Sequence, residues 1–138
     1  MLTIAAVAAL SLTSCLNGTD YKAKGQELAR QLDEFCQKQD ADSVLVLDKL
    51  ITDEMDAIIQ SGDSAAIADF REAIKDSRNR NAPYITSLKL KLGVDKNTVI
   101  KDLEREALNE EIGMDAVASA IKELSDSESK EKQEKKTE

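Results

Sequence analysis

Two cysteines, several carboxylate clusters and one line of basic side chains are the groups in this chain that could do chemistry. Cys15 and Cys36 could serve as nucleophiles, pair as disulfides or accept a covalent modification. Asp40/Asp42, Asp53/Glu54/Asp56 and Glu110/Glu111 could hold a cation or exchange protons. Arg71, Lys75 and Arg78 fall at i, i+4 and i+7, one line along a helix. What is missing narrows the chemistry. The chain has no histidine, which removes the commonest general base, the Ser-His and Cys-His nucleophile pairs and the usual nitrogen ligand of zinc.

Each remaining group has a plain structural reading. A reactive thiolate wants a cation or a helix N-terminus beside it. Cys36 instead has Asp33 and Glu34 close by in sequence, with Lys38 the nearest cation, and it lies on an apolar stripe. It is predicted to be a small core residue. None of the acidic clusters has the D-x-[DN]-x-[DN]-G pattern of a calcium loop, so solvated helix faces are predicted for them. No pair of carboxylates can be singled out for acid/base work, and no catalytic, cofactor or metal site is predicted.

The surroundings of Cys15 are more specific. Residues 2–12 form an uncharged, largely apolar run. A bilayer-spanning helix needs about 20 such residues, so the run fits the apolar region of a signal peptide instead. Read structurally, 2–15 would be the first turns of a buried helix, with Cys15 an ordinary core thiol. The sequence Leu12-Thr13-Ser14-Cys15, however, resembles the lipobox of bacterial lipoprotein precursors: an aliphatic residue, two small ones, then the cysteine that receives diacylglycerol. The resemblance implies removal of 1–14 as a signal peptide, lipid on Cys15, a short tether over 15–19 and membrane attachment. Acyl chains anchor through buried methylenes at about 0.8 kcal/mol each. Leu16, where an Asp would favour retention at the inner membrane, implies the outer membrane by resemblance to Gram-negative sorting. Met1-Leu2-Thr3-Ile4 lacks the Lys or Arg that usually opens a signal peptide, which predicts a translation start further upstream or an internal Met at position 1.

Positioning falls to helices. Aromatics are 3% of the chain with no Trp, so a core must be aliphatic, which suits packed helices. Apolar spacings of three and four predict helices over about 20–39 (Leu28, Leu32, Phe35, Cys36), 44–60 (Val44, Leu47, Ile51, Met55, Ile58, widened by Leu45 and Ile59) and 64–79 (Ile67, Phe70, Ile74). Asp42 or Ser43 is the predicted cap of the second helix, Gly62 its stop and Asp63 the cap of the third. Pro83 is predicted to end the third. Residues 84–92 fit either a helix or a strand, and helix is favoured because no second strand pattern exists to pair with it. Gly93 closes that segment. Asp95 then caps a helix over about 96–111 (Val99, Ile100, Leu103, Ala107, Leu108), Gly113 interrupts it, and 114–124 follows (Val117, Ile121, Leu124). No apolar residue occurs after Leu124, so 125–138 is predicted to be a disordered, charged tail.

The expected fold is therefore all-α: a small bundle of four to six short amphipathic helices over 20–124. With a net charge of −8 the surface repels phosphate backbones, which excludes nucleic acid as a partner. Residues 63–94 are the exception, at net +2. Arg71, Lys75 and Arg78 are accordingly the candidate contact for an anionic partner, set against a plainer role pairing with acidic neighbouring helices. The leading expectation is a membrane-anchored, non-catalytic interaction or accessory protein of the cell envelope. A small ligand-binding lipoprotein comes next and an enzyme third.

Overall fold

A computed structural model describes residues 19–137, with side chains placed through Asp126; the expected signal peptide 1–14 and Cys15 lie outside them. Among the described residues the fold is all-α, as the apolar spacing predicts. Helix α1 spans Tyr21–Gln37, α2 Ala41–Ser61, α3 Ser64–Lys91, α4 Lys96–Leu108 and α5 Met114–Thr137. The chain divides into two compact units, Met1–Ser77 and Arg78–Glu138, with the division inside α3.

In Met1–Ser77, α1 and α2 pack against each other. Leu28, Leu32 and Phe35 of α1, Val44, Leu47, Ile51, Met55 and Ile58 of α2, and Phe70 and Ile74 of α3 are buried. Ile67 is only half-buried and Ile59 is exposed, so the predicted stripes are right in phase but too wide. Gly25 lets α1 approach α3: a Cβ there would stand 2.7 Å from Ala73 Cβ. Ser77 Oγ adds a polar tie, 3.1 Å from the Ala29 carbonyl oxygen and 2.9 Å from Asp33 Oδ1. Asp40, not Asp42 or Ser43, caps α2, its carboxylate accepting from the Ser43 N–H and hydroxyl. An Asp two or three residues ahead of the first free N–H groups reaches them better than one inside the turn. Gly62 stops α2 in the left-handed region at φ 74°, and Asp63 accepts from the Ala66 N–H to start α3.

In Arg78–Glu138, Ala82, Val99, Leu103, Ile112, Ala116, Ala120 and Leu124 form the core. Pro83 does not end the third helix, which runs through it to Lys91. The missing N–H and ring clash at an interior proline cost about 3 kcal/mol. Burial of Ile85 and Leu88 on the far side of Pro83 offsets that, because stopping the helix would expose them. The following segment is thus helix, not strand. Gly93 turns the chain at φ 84°, and Asp95 caps α4 by accepting from the Asn97 N–H. Ile100, Leu108 and Ile121, predicted inward, are exposed.

Helix α5 also extends past the last apolar residue, Leu124, to Thr137, where the sequence predicts a tail without regular structure. Apolar burial has no part in that extension. Its Glu, Lys and Gln content favours helix locally, and acidic residues stand four ahead of basic ones at Asp126/Lys130, Glu128/Lys132 and Glu131/Lys135.

Candidate functional site

The most concentrated polar chemistry among the described residues lies in Arg78–Glu138 and centres on Arg78. Arg78 stands one turn beyond Ile74 on the inward face of α3 and is 2% exposed. Its Nη1 donates to Glu111 Oε1 at 2.6 Å and lies 3.3 Å from Glu106 Oε1. Glu111 is fully buried and Glu106 nearly so. The α4–α5 turn delivers Glu111: the Glu110 N–H bonds the Ala107 carbonyl and the Glu111 N–H the Glu106 carbonyl, with Glu110 at φ 58°. That reversal turns Glu111 back onto the guanidinium. Asn109 Nδ2 donates to its second oxygen, Oε2, at 3.2 Å. Two buried carboxylates on one guanidinium nitrogen form a clamp that joins α3, α4 and the turn before α5. Breaking a buried pair of this kind leaves an uncompensated charge, which is why such groups hold a fold in register.

Beside the clamp, Asn79 Oδ1 accepts the Gly113 N–H at 2.7 Å, so a side chain of α3 satisfies a backbone donor at the start of α5. An open cleft of about 460 Å³ adjoins this contact, lined by Asn79, Arg80, Gly113, Met114, Asp115, Ala116 and Ser119. Its walls mix small, polar and apolar groups, with Asp115 already in the first turn of α5. A small polar molecule would find donors and acceptors there.

The predicted basic line does not survive as a surface. Arg71 and Lys75 are half-buried, and Arg78 is inside the clamp, so the three do not present one face to an anionic partner. The spacing was right for a helix, but Arg78 shares the stripe of Phe70 and Ile74 rather than the solvent side. Glu106 and Glu111 are the polar residues that pattern reading passed over. Glu106 had a signal, since it follows Val99 and Leu103 at i+7 and i+3 on the inward stripe. Glu111, grouped with Glu110 as a solvated face, had none, because its burial depends on a turn with a non-glycine residue in the left-handed region.

The other clusters are structural. Asp40 caps α2, Asp53 pairs with Lys49 at 3.0 Å, and Glu54 pairs with Lys24 of α1 at 2.6 Å. Ser43 donates to the Asp40 carboxylate, which holds it below the usual carboxylate range. No group of three or more Cys, Asp or Glu fit to hold a metal ion occurs among the described residues. Cys36 is a free thiol and half-buried, not fully in the core as predicted. Its burial, with the charges of Asp33 and Asp48, pushes it up to about 11. At neutral pH it is a protonated thiol and a poor nucleophile.

Compared with known proteins, the chain matches no family model, no curated protein and no solved structure. Among the described residues no helix is long and apolar enough to cross a membrane.

Proposed function

We propose that this chain is a bacterial lipoprotein, anchored through Cys15, that acts as a non-catalytic interaction or accessory protein of the cell envelope. The observation that carries the reading is the sequence Leu12-Thr13-Ser14-Cys15 at the end of the apolar run 2–12. A short tether suits it, since α1 begins at Tyr21 soon after Cys15. The polar groups of the helical body favour holding over catalysis. The buried ones bind each other, in the Arg78 clamp and in Ser77 with Asp33, and Cys36 is held in its unreactive form. Leu16 after the cysteine favours the outer membrane.

Intact-mass measurement of protein purified from membranes, expressed with its native upstream start, tests the anchor. The expected product begins at Cys15 and carries the added mass of acyl chains, and Cys15→Ala leaves the protein unprocessed or in the soluble fraction. A different mature N-terminus without lipid mass overturns the reading. A second reading, binding of a small polar ligand, is favoured by the cleft between Asn79, Arg80, Asp115 and Ser119. The scarcity of aromatic walls weighs against it.

A further inference from the structure

With Arg78 withdrawn into the clamp, the positive surface lies elsewhere. No acidic residue occurs between Asp76 and Asp95. The end of that stretch is the corner where α3 turns into α4. Lys89 and Lys91 occupy the last turn of α3, and Lys96 and Lys101 follow in the first turns of α4. Lys89 Nζ lies 3.6 Å from Asp102 Oδ2, which brings the two helix ends side by side. Residues 89–102 hold four lysines and two aspartates, net +2 in a chain of −8. Lys91 and Lys101 are exposed. At the tip, ahead of the left-handed Gly93, Leu92 is 62% exposed, and Ile100 on α4 is 37% exposed.

We infer that this corner docks the helical body onto an anionic lipid surface. Lysines alone would suit any anion, and Lys89 and Lys91 also complement the negative end of the α3 dipole. The exposed Leu92 selects lipid, because a turn-tip leucine next to the exposed Lys91 gains from entering the headgroup region while the lysines stay among the phosphates. Each lysine near such a surface attracts it independently of sequence, and salt weakens the attraction. On the proposed anchored protein, on which the biological role of this contact rests, lipid on Cys15 would supply attachment and the corner would orient the body.

The chain has no tryptophan, so a single reporter can be placed at will. The assay uses the full chain carrying Cys15→Ser, made without acylation, with either Leu92→Trp or, as a control in the acidic unit, Val46→Trp. Vesicles of equal parts phosphatidylglycerol and phosphatidylcholine should shift the emission of the position-92 reporter to the blue and leave the position-46 reporter unchanged. Pure phosphatidylcholine should shift neither. Lys91→Glu with Lys101→Glu should weaken vesicle binding about tenfold or more, and the Gln pair by less, with folding checked by circular dichroism. No shift at position 92, an equal shift on both vesicle types, or indifference to charge reversal overturns the inference. So does an equal response to a soluble polyanion such as heparin, which would assign the lysines to a glycan. Because the assayed chain has no acyl group, its result is independent of whether Cys15 is lipidated in cells.

Discussion

In Met1–Ser77 the buried positions hold mainly large aliphatic side chains with Phe35 and Phe70, whereas in Arg78–Glu138 more alanines share them with a buried guanidinium and two carboxylates. Their surfaces differ in the opposite sense. Met1–Ser77 carries seven basic and fourteen acidic residues, net −7, and among its described residues only Val46 and Ile59 are exposed large apolar groups. Arg78–Glu138 carries twelve basic and thirteen acidic residues, net −1, and exposes Leu92, Ile100, Leu108, Met114 and Ile121. One unit hides its apolar surface under an acidic, strongly solvated exterior. The other keeps a charge cluster inside and more apolar groups outside.

The contrast breaks hardest at the clamp. Glu111→Ala leaves Arg78 buried against a single, more distant carboxylate, and the expected loss of stability is about 3–5 kcal/mol by denaturant titration. Native-state hydrogen exchange should place the loss in α4 and α5 and spare α1 and α2. Replacing Arg78, Glu106 and Glu111 together by apolar residues of similar volume should recover most of the stability, since the buried charges would no longer need one another. Equal loosening of both units by Glu111→Ala would contradict the assignment of the clamp to Arg78–Glu138.

Two glycines sharpen the same comparison at smaller scale. At Gly25 a Cβ would stand 2.7 Å from Ala73 Cβ, and neither helix backbone can yield cheaply, so Gly25→Val should cost about 1–3 kcal/mol through overpacking. At Gly113 the nearest atoms to an added Cβ are those of the Asn79 amide, at 3.8 and 3.9 Å, an ordinary contact. Gly113→Ala should change stability by no more than about 0.5 kcal/mol. Thermal melting of the two variants measures the difference, and comparable losses would show that the helices of both units pack equally closely.

The smallest effect expected is at Cys36. An unfolded cysteine titrates near about 8.5, and in the folded chain burial and the Asp33 and Asp48 charges raise the thiol to about 11. The native state therefore holds this proton over a window in which the unfolded state releases it. The stability so contributed is fully present below the unfolded value and is lost as pH rises towards 11. Iodoacetamide labelling at neutral pH should be much slower in the native protein than in denaturant, and should accelerate steadily with alkali. Rapid native labelling near pH 7 would place the thiol in a different environment.

Much of this was legible in the residues. The Val44, Leu47, Ile51, Met55, Ile58 stripe, the Gly62 stop, the Asp63 cap and the Gly93–Asp95 turn all stand where pattern and capping chemistry place them. What eluded pattern reading has specific causes. Gln39 and Glu110 turn the chain in the left-handed region, at φ 56° and 58°, without the glycine that usually announces such a turn. Pro83 sits in a helix that local rules would stop, because burial downstream outweighs the local cost. The charged end of α5 is helical in a stretch whose Glu, Lys and Gln content favours helix, with no apolar signature to read.

By itself the sequence determined an all-helical body, its helix phases and its acidic balance, because apolar period, caps and net charge are properties of neighbours along the chain. Tertiary structure alone decided which charges face water. Arg71, Lys75 and Arg78 share one helix line, and although Arg78 also falls on the stripe of Phe70 and Ile74, only the return of the chain through the α4–α5 turn brings Glu106 and Glu111 against it and lets its charge be buried. The same packing left Lys91, Leu92 and Lys101 outside. Which charged residues are buried is set by contacts between residues distant in sequence, which local pattern records only in part.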